Sequence, residues 1–169
     1  LKGFEQQPVS SPTYTFSLLL RVPTQSYGGL FRISVKDAKD VVNHNSLKLT
    51  FANNTLSAGI GDNSSQVKND FPAEKFRVAF VELDTTNNTL GLWQRGEEAN
   101  GKLNGAKPIP ANLNGPIRLL SYEYGYLWAP NTQIKKPVEI PAMAIHTRIL
   151  SEAEKNEVAT KLFQGFRRK

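Results

Sequence analysis

Phe76-Arg77-Val78-Ala79-Phe80-Val81-Glu82-Leu83, then Asp84-Thr85-Thr86-Asn87-Asn88, then Thr89-Leu90-Gly91-Leu92-Trp93 is the stretch that decides the fold. Two apolar runs rich in Val, Phe, Leu and Trp flank a cluster of Asp, Thr and Asn. Asp and Asn side chains bond their own backbone, and Asn tolerates the left-handed conformation a tight turn needs, so the arrangement is hairpin chemistry. Working outward, the same period of two recurs at 14–22, where Tyr14, Phe16, Leu18, Leu20 and Val22 alternate with Thr15, Ser17, Leu19 and Arg21 until Pro23. That pattern predicts a strand with one strongly buried face. Gly28-Gly29 opens a strand at 30–35, and strands at 46–52 and 55–61 flank Asn53-Asn54 as a second tight hairpin. Downstream, 117–122 and 138–147 read as strands, giving about eight short strands with turn chemistry between them. The polar segment 62–73, with Pro72, and the Gly/Asn/Pro-rich segment 96–116 read as loops.

Only the C-terminus changes period. Val158, Ala159, Leu162, Phe163 and Phe166 fall at helical spacing, Ser151-Glu152-Ala153-Glu154 has the form of a capping box, and Gly165 stands where a helix would stop. The expected fold class is all-β: a two-sheet antiparallel jelly-roll sandwich with a short helix over about 151–165 on the sandwich edge. No repeat or Ser/Pro linker divides the chain, so residues 1–169 are expected to form a single sandwich domain.

Composition narrows the function. A 169-residue chain buries roughly 68–70% of its unfolded surface, enough for one good core. The net charge is +6, but Arg167, Arg168 and Lys169 at the very end supply half of it, and the rest is scattered. A scattered excess is not the basic stripe of a nucleic-acid binder, so nucleic acid is not an expected partner. The absence of cysteine excludes disulfide scaffolds, zinc ribbons and thiol chemistry. No apolar run approaches the ~18 residues of a membrane span, and Leu18-Leu19-Leu20 lacks the flanks of a signal peptide. The start at Leu rather than Met reads as a mature fragment or an excised domain.

Three landmarks carry a family resemblance. The run from Phe76 to Trp93 resembles the paired central strands of laminin G-like, concanavalin A-like domains. Ala144-Ile145-His146-Thr147-Arg148-Ile149-Leu150-Ser151-Glu152-Ala153-Glu154 resembles their closing strand and helix. Tyr14-Thr15-Phe16-Ser17-Leu18-Leu19-Leu20-Arg21-Val22-Pro23, followed by Gly28-Gly29-Leu30-Phe31, resembles their opening. The chain departs from the pattern at Gln94-Arg95-Gly96 and at Lys135-Lys136-Pro137-Val138. The resemblance implies the sandwich; lectins, glucanases, adhesion modules and phage structural proteins share it, so function must be read from side chains.

Glycan-cleaving relatives carry E-x-D-x-x-E on one strand, which sets nucleophile and acid about 5–5.5 Å apart on one face. Glu82-Leu83-Asp84-Thr85-Thr86-Asn87 matches except at its end, where Asn87 replaces the proton donor, and the chain is not expected to be an enzyme. His44 and His146 are far apart in sequence, one in an Asn-rich loop and one on a strand. No G-x-S-x-G elbow or Walker loop occurs, and turns explain Gly59-Ile60-Gly61. Calcium is the one metal the loops suggest, through the oxygen donors of Asp62 and Asn63, residues that turn formation also accounts for; no other cofactor is indicated.

The segment Ser121-Tyr122-Glu123-Tyr124-Gly125-Tyr126-Leu127-Trp128-Ala129-Pro130-Asn131 holds three of the five tyrosines and one of the two tryptophans. Aromatic rings stack on sugar faces while amide and carboxyl groups bond hydroxyls, so Tyr122, Tyr124, Tyr126, Trp128 and Asn131 are candidate glycan contacts. The same residues are suited to a protein interface, or to closing the mouth of the sandwich. The expectation is therefore a non-catalytic surface binding module for carbohydrate, extracellular and carried by a bacterial surface protein or a phage particle. A virion or surface structural protein that uses the sandwich for protein contact, as a homo-oligomer or decoration, is the alternative. A glycoside hydrolase-like enzyme comes third.

Overall fold

The computed structural model describes residues 2–3, 11–24, 28–36, 42–52, 54–60, 65–97, 103–108, 118–124 and 138–167. In chain order these form β1 (Lys2–Gly3), β2 (Thr13–Arg21), β3 (Gly28–Lys36), β4 (Val42–Ala52), β5 (Thr55–Ile60), β6 (Ser65–Asp70), β7 (Arg77–Asp84), β8 (Thr89–Gly96), β9 (Leu103–Pro108), β10 (Arg118–Tyr124), β11 (Glu139–His146) and α1 (Glu152–Arg167). One sheet has the order β1-β10-β3-β4-β5-β6, the other β11-β2-β7-β8-β9. Every ladder is antiparallel.

Alternation builds the space between the sheets. Tyr14, Phe16, Leu18 and Leu20 of β2, Ala79, Val81 and Leu83 of β7, and Leu90 and Leu92 of β8 meet Leu47, Leu49 and Phe51 of β4 and Leu56, Ala58 and Ile60 of β5. Each large side chain buried there stabilises the fold by about 1.5–3 kcal/mol. The Tyr14 and Phe16 rings stack with centroids 5.8 Å apart, and Phe51 meets Phe71 edge to face at 6.1 Å.

Both predicted hairpins form. Ala52 pairs with Thr55 across the Asn53-Asn54 turn, and Asp84 with Thr89. Asn54 and Asn88 take the left-handed conformation, with φ of 58° and 52°. Asp84 Oδ1 accepts hydrogen bonds from the backbone N–H groups of Thr86 and Asn87, each at 2.9 Å, and Oδ2 accepts from Asn87 Nδ2 at 2.8 Å. Asp84 is thus consumed in shaping the turn.

The structure adds β1 and begins β4 at Val42 rather than at 46, and it differs from the sequence reading in three further respects. Segments read as loops contain β6 and β9, which pair as the outer edges of their sheets. Ser-Gln-Val-Lys-Asn-Asp and Leu-Asn-Gly-Ala-Lys-Pro carry no apolar alternation, and an edge position demands less of one. Second, α1 lies on the outer face of the five-stranded sheet rather than on the sandwich edge. Leu19, Val78 and Phe80, on the face opposite the main core, form a second cluster with Ala159 and Phe163. Third, the helix runs through Gly165 to Arg167, because Phe166 continues the apolar stripe and its ring meets that of Phe76 at 4.6 Å.

The N-terminus of α1 is capped as the sequence indicates. Ser151 Oγ accepts from the Glu154 backbone N–H at 3.3 Å, and Glu154 Oε2 accepts from the Ser151 N–H at 2.8 Å. Arg148 grips the same carboxylate in a fork at 2.8 and 2.6 Å. Those contacts hold the Glu154 carboxyl at a pKa of about 2, the Arg148 hydrogen bond being the main cause.

Candidate functional site

Chain connectivity and register fix where the aromatic segment is attached. On β10, Tyr122 pairs with Ile33 and Tyr124 with Phe31. Ile33 and Phe31 pair in turn with Leu47 and Leu49, which are buried, so the two tyrosines occupy the same register rows. Tyr126, Trp128 and Asn131 lie outside the described residues, in the stretch that connects Tyr124 of one sheet with Val138 before β11 of the other. At this end of the sandwich the chain also crosses between sheets at 71–76. Phe71 N–H donates to Asn54 O at 2.7 Å, Glu74 N–H donates to Val22 O at 2.9 Å, and Glu74 Oε1 accepts from Thr24 N–H and Oγ1 at 2.9 and 3.0 Å. Asp62 and Asn63 also lie outside the described residues, in the connection from Ile60 to Ser65 at the opposite end. Among the described residues, no group of three or more Asp, Glu or His side chains is placed to hold a metal ion.

The near-match to the hydrolase pattern resolves differently. Glu82 projects from the outer face of β7 into the layer beneath α1. Its Oε1 lies 2.6 Å from Lys155 Nζ, its Oε2 accepts from Trp93 Nε1 at 2.6 Å, and both charged side chains are nearly buried, at 12% and 8% exposure. Lys155 Nζ also stands 3.6 Å from the centroid of the Trp93 ring, a cation–π contact in the same cluster. Gly91, directly across the ladder from Glu82, leaves the room this needs: a Cβ there would stand 3.1 Å from Glu82 Oε2. With Oε2 hydrogen-bonded to Trp93, Oε1 ion-paired with Lys155 and a helix above it, Glu82 ties helix to sheet. Asp84, two residues on, is bound in its turn. The two carboxylates are not assembled as a nucleophile and an acid.

Two clefts flank α1. One, of about 110 Å³, lies beside the ion pair, lined by Phe80, Trp93, Arg95, Glu152, Lys155 and Asn156 among others. The other, about 330 Å³ and mostly apolar, separates α1 from β11 and is lined by Pro141, Ala142, Lys161, Leu162, Gly165 and Phe166. His146, on β11, has its pKa lowered from the ordinary histidine value, by burial first and by Arg148 second, while Glu154 pulls the other way. His44 falls on β4, not in a loop.

No protein-family model and no curated protein matches the sequence. Solved structures do. The CBM40 of Ruminococcus gnavus IT-sialidase bound to alpha2,3 sialyllactose aligns with a TM-score of 0.55 at 12% identity, over 89% of this chain and 83% of that one. A mutant of HCR D/C VPI 5995 aligns with a TM-score of 0.58 at 13% identity, over 89% of this chain but 37% of that one. The fold is a jelly-roll β-sandwich. The GH131 beta-glucanase catalytic domain from Podospora anserina also aligns, with a TM-score of 0.44 at 11% identity, over 85% of this chain and 61% of that one, a likeness too low to argue from. A likeness of fold at this identity does not by itself assign an activity.

Within this jelly roll the residue that sequence reading missed is Lys155. It lies one turn before Ala159 and two before Phe163, on the buried stripe of α1. A lysine at a core position of an amphipathic helix requires a buried partner, and that spacing was the available signal. No helix among the described residues is long and apolar enough to cross a membrane.

Proposed function

We propose that the chain is a non-catalytic carbohydrate-binding module, a single jelly roll that recognises glycan outside the cell, on a cell surface or on a virion. The observation that carries this reading is the alignment of nearly the whole chain with a module bound to a sialylated sugar. The contacts are assigned to Tyr122 and Tyr124 of β10 and to Tyr126, Trp128 and Asn131, which follow them in sequence, because aromatic rings and an amide suit a sugar's faces and hydroxyls. The non-catalytic reading draws support from Asn87 in place of the proton donor and from the commitment of Glu82 to Lys155 and Trp93.

The test is a glycan array probed with the wild-type chain and with Trp128→Ala. Specific binding lost in the variant, with no cleavage products released from the bound glycan, is the expected result. Hydrolysis abolished by Glu82→Gln would make the chain an enzyme. A second reading, assembly through protein contact, is favoured by the apolar cleft between α1 and β11. An empty array, together with concentration-dependent oligomers in sedimentation, would replace glycan recognition by that reading.

A further inference from the structure

Among the described residues four buried side-chain atoms lack a hydrogen-bond partner, Ser17 Oγ, Glu82 Oε1, Arg95 Nε and His146 Nε2, and the register makes the first and the last of them neighbours. His146 Nε2 and Ser17 Oγ are both sealed from solvent and unbonded. His146 pairs with Thr15 and Ala144 with Ser17, so the two side chains share one face, one diagonal apart, with Ala144 and Thr15 at the other corners and Phe80 across from Ser17. Thr15, between them on β2, is fully engaged: its hydroxyl donates to Arg148 O at 2.8 Å and accepts from the Leu150 N–H at 3.2 Å. This polar strip therefore lies beneath the segment that launches the helix.

Adding a proton to His146 worsens its position there. An imidazolium carries N–H on both nitrogens, and a buried donor without an acceptor is costly. The charged groups facing the ring offer no remedy. Arg148 repels the added charge; Glu154 attracts it, but its carboxylate is held in the Arg148 fork and by the Ser151 N–H. Glu82, in the same register row across Thr15, is engaged by Lys155 and Trp93.

We propose that α1 is seated by a proton-sensitive contact: protonation of His146 lifts Leu150 and the first turns of the helix off the five-stranded sheet. Lifting returns the imidazole to water, where it takes up a proton in its ordinary range near 6.5. One proton enters with each opening, so as pH falls below that range the opening equilibrium grows by up to about tenfold per pH unit, until the seated form itself titrates. Mild acid would thus uncover Leu19, Val78, Phe80 and Trp93, an apolar surface that is covered at neutral pH. Glu154 does not confuse this window, because its carboxyl titrates at about 2 when seated and at 4.5 when free.

Hydrogen–deuterium exchange on the full chain, corrected for intrinsic exchange, tests the proposal. Between about pH 6.5 and 5.5, protection across 152–163 is expected to fall at least threefold in the wild type and to stay level in His146→Phe and His146→Gln. Either variant suffices if the other does not fold, as judged by circular dichroism at neutral pH. An equal fall in the variants, no fall in the wild type, or a parallel fall in β7 and β8 that marks global unfolding would overturn it.

Discussion

Lys155→Met breaks the one buried ion pair that joins helix to sheet among the described residues, and its cost follows from the geometry. The methionine fills most of the volume of the lysine stem, so cavity formation contributes little. The loss is electrostatic: Glu82, 12% exposed, keeps the Trp93 N–H at 2.6 Å but loses the ammonium at 2.6 Å. An uncompensated buried charge of this kind costs about 3–5 kcal/mol. For a chain of this length that corresponds to a fall in Tm of roughly 6–20 °C. Glu82→Gln restores neutrality while keeping an acceptor for Trp93. The double variant Glu82→Gln/Lys155→Met should therefore recover most of the loss and lie within about 1–2 kcal/mol of wild type. Urea unfolding followed by circular dichroism, with all four corners of the cycle at equal m-value, measures the coupling directly. A single-variant loss below about 1 kcal/mol, as for an exposed pair, would refute the buried-charge argument.

Other substitutions probe the remaining structure. Gly165→Ala should stabilise by about 1 kcal/mol, because the position is an exposed helix interior and a Cβ there meets nothing within 4 Å; the urea midpoint reports it. Asn88→Val should destabilise by about 1–2 kcal/mol in the same assay, since φ is 52°, whereas Asn88→Gly should stay close to wild type. Glu154→Gln should flatten the acid limb of stability. With a folded carboxyl at about 2 and an ordinary value of 4.5, the wild type gains from ionisation above that range and loses the gain as pH falls toward 2, a loss that thermal melts across acid pH would show as absent in the variant.

The elements that depend on local chemistry were legible in the sequence. The Asp84–Asn88 turn, the Asn54 turn and the Ser151–Glu154 capping box are each decided within a few residues, and each forms. What depends on neighbours was not. β6 and β9 lack alternation because edge strands pair on one side, and nothing local distinguishes them from polar loops. The place of α1 was half visible: Leu19, Val78 and Phe80 sit on the faces that a half-exposed strand would make polar, which signals a second cover without naming the helix as that cover. In the candidate site, the sequence indicates the chemistry of the aromatic segment, and the structure places Tyr122 and Tyr124 on β10, while Tyr126, Trp128 and Asn131 lie outside the described residues.

Titration of the isotope-labelled chain with the best glycan from the array, followed by amide chemical shifts, tests the central claim most directly. Saturable shifts concentrated in 118–131, and abolished by Trp128→Ala, are the predicted result. Shifts confined to α1 and β8, or no saturable shifts with any glycan, would contradict it.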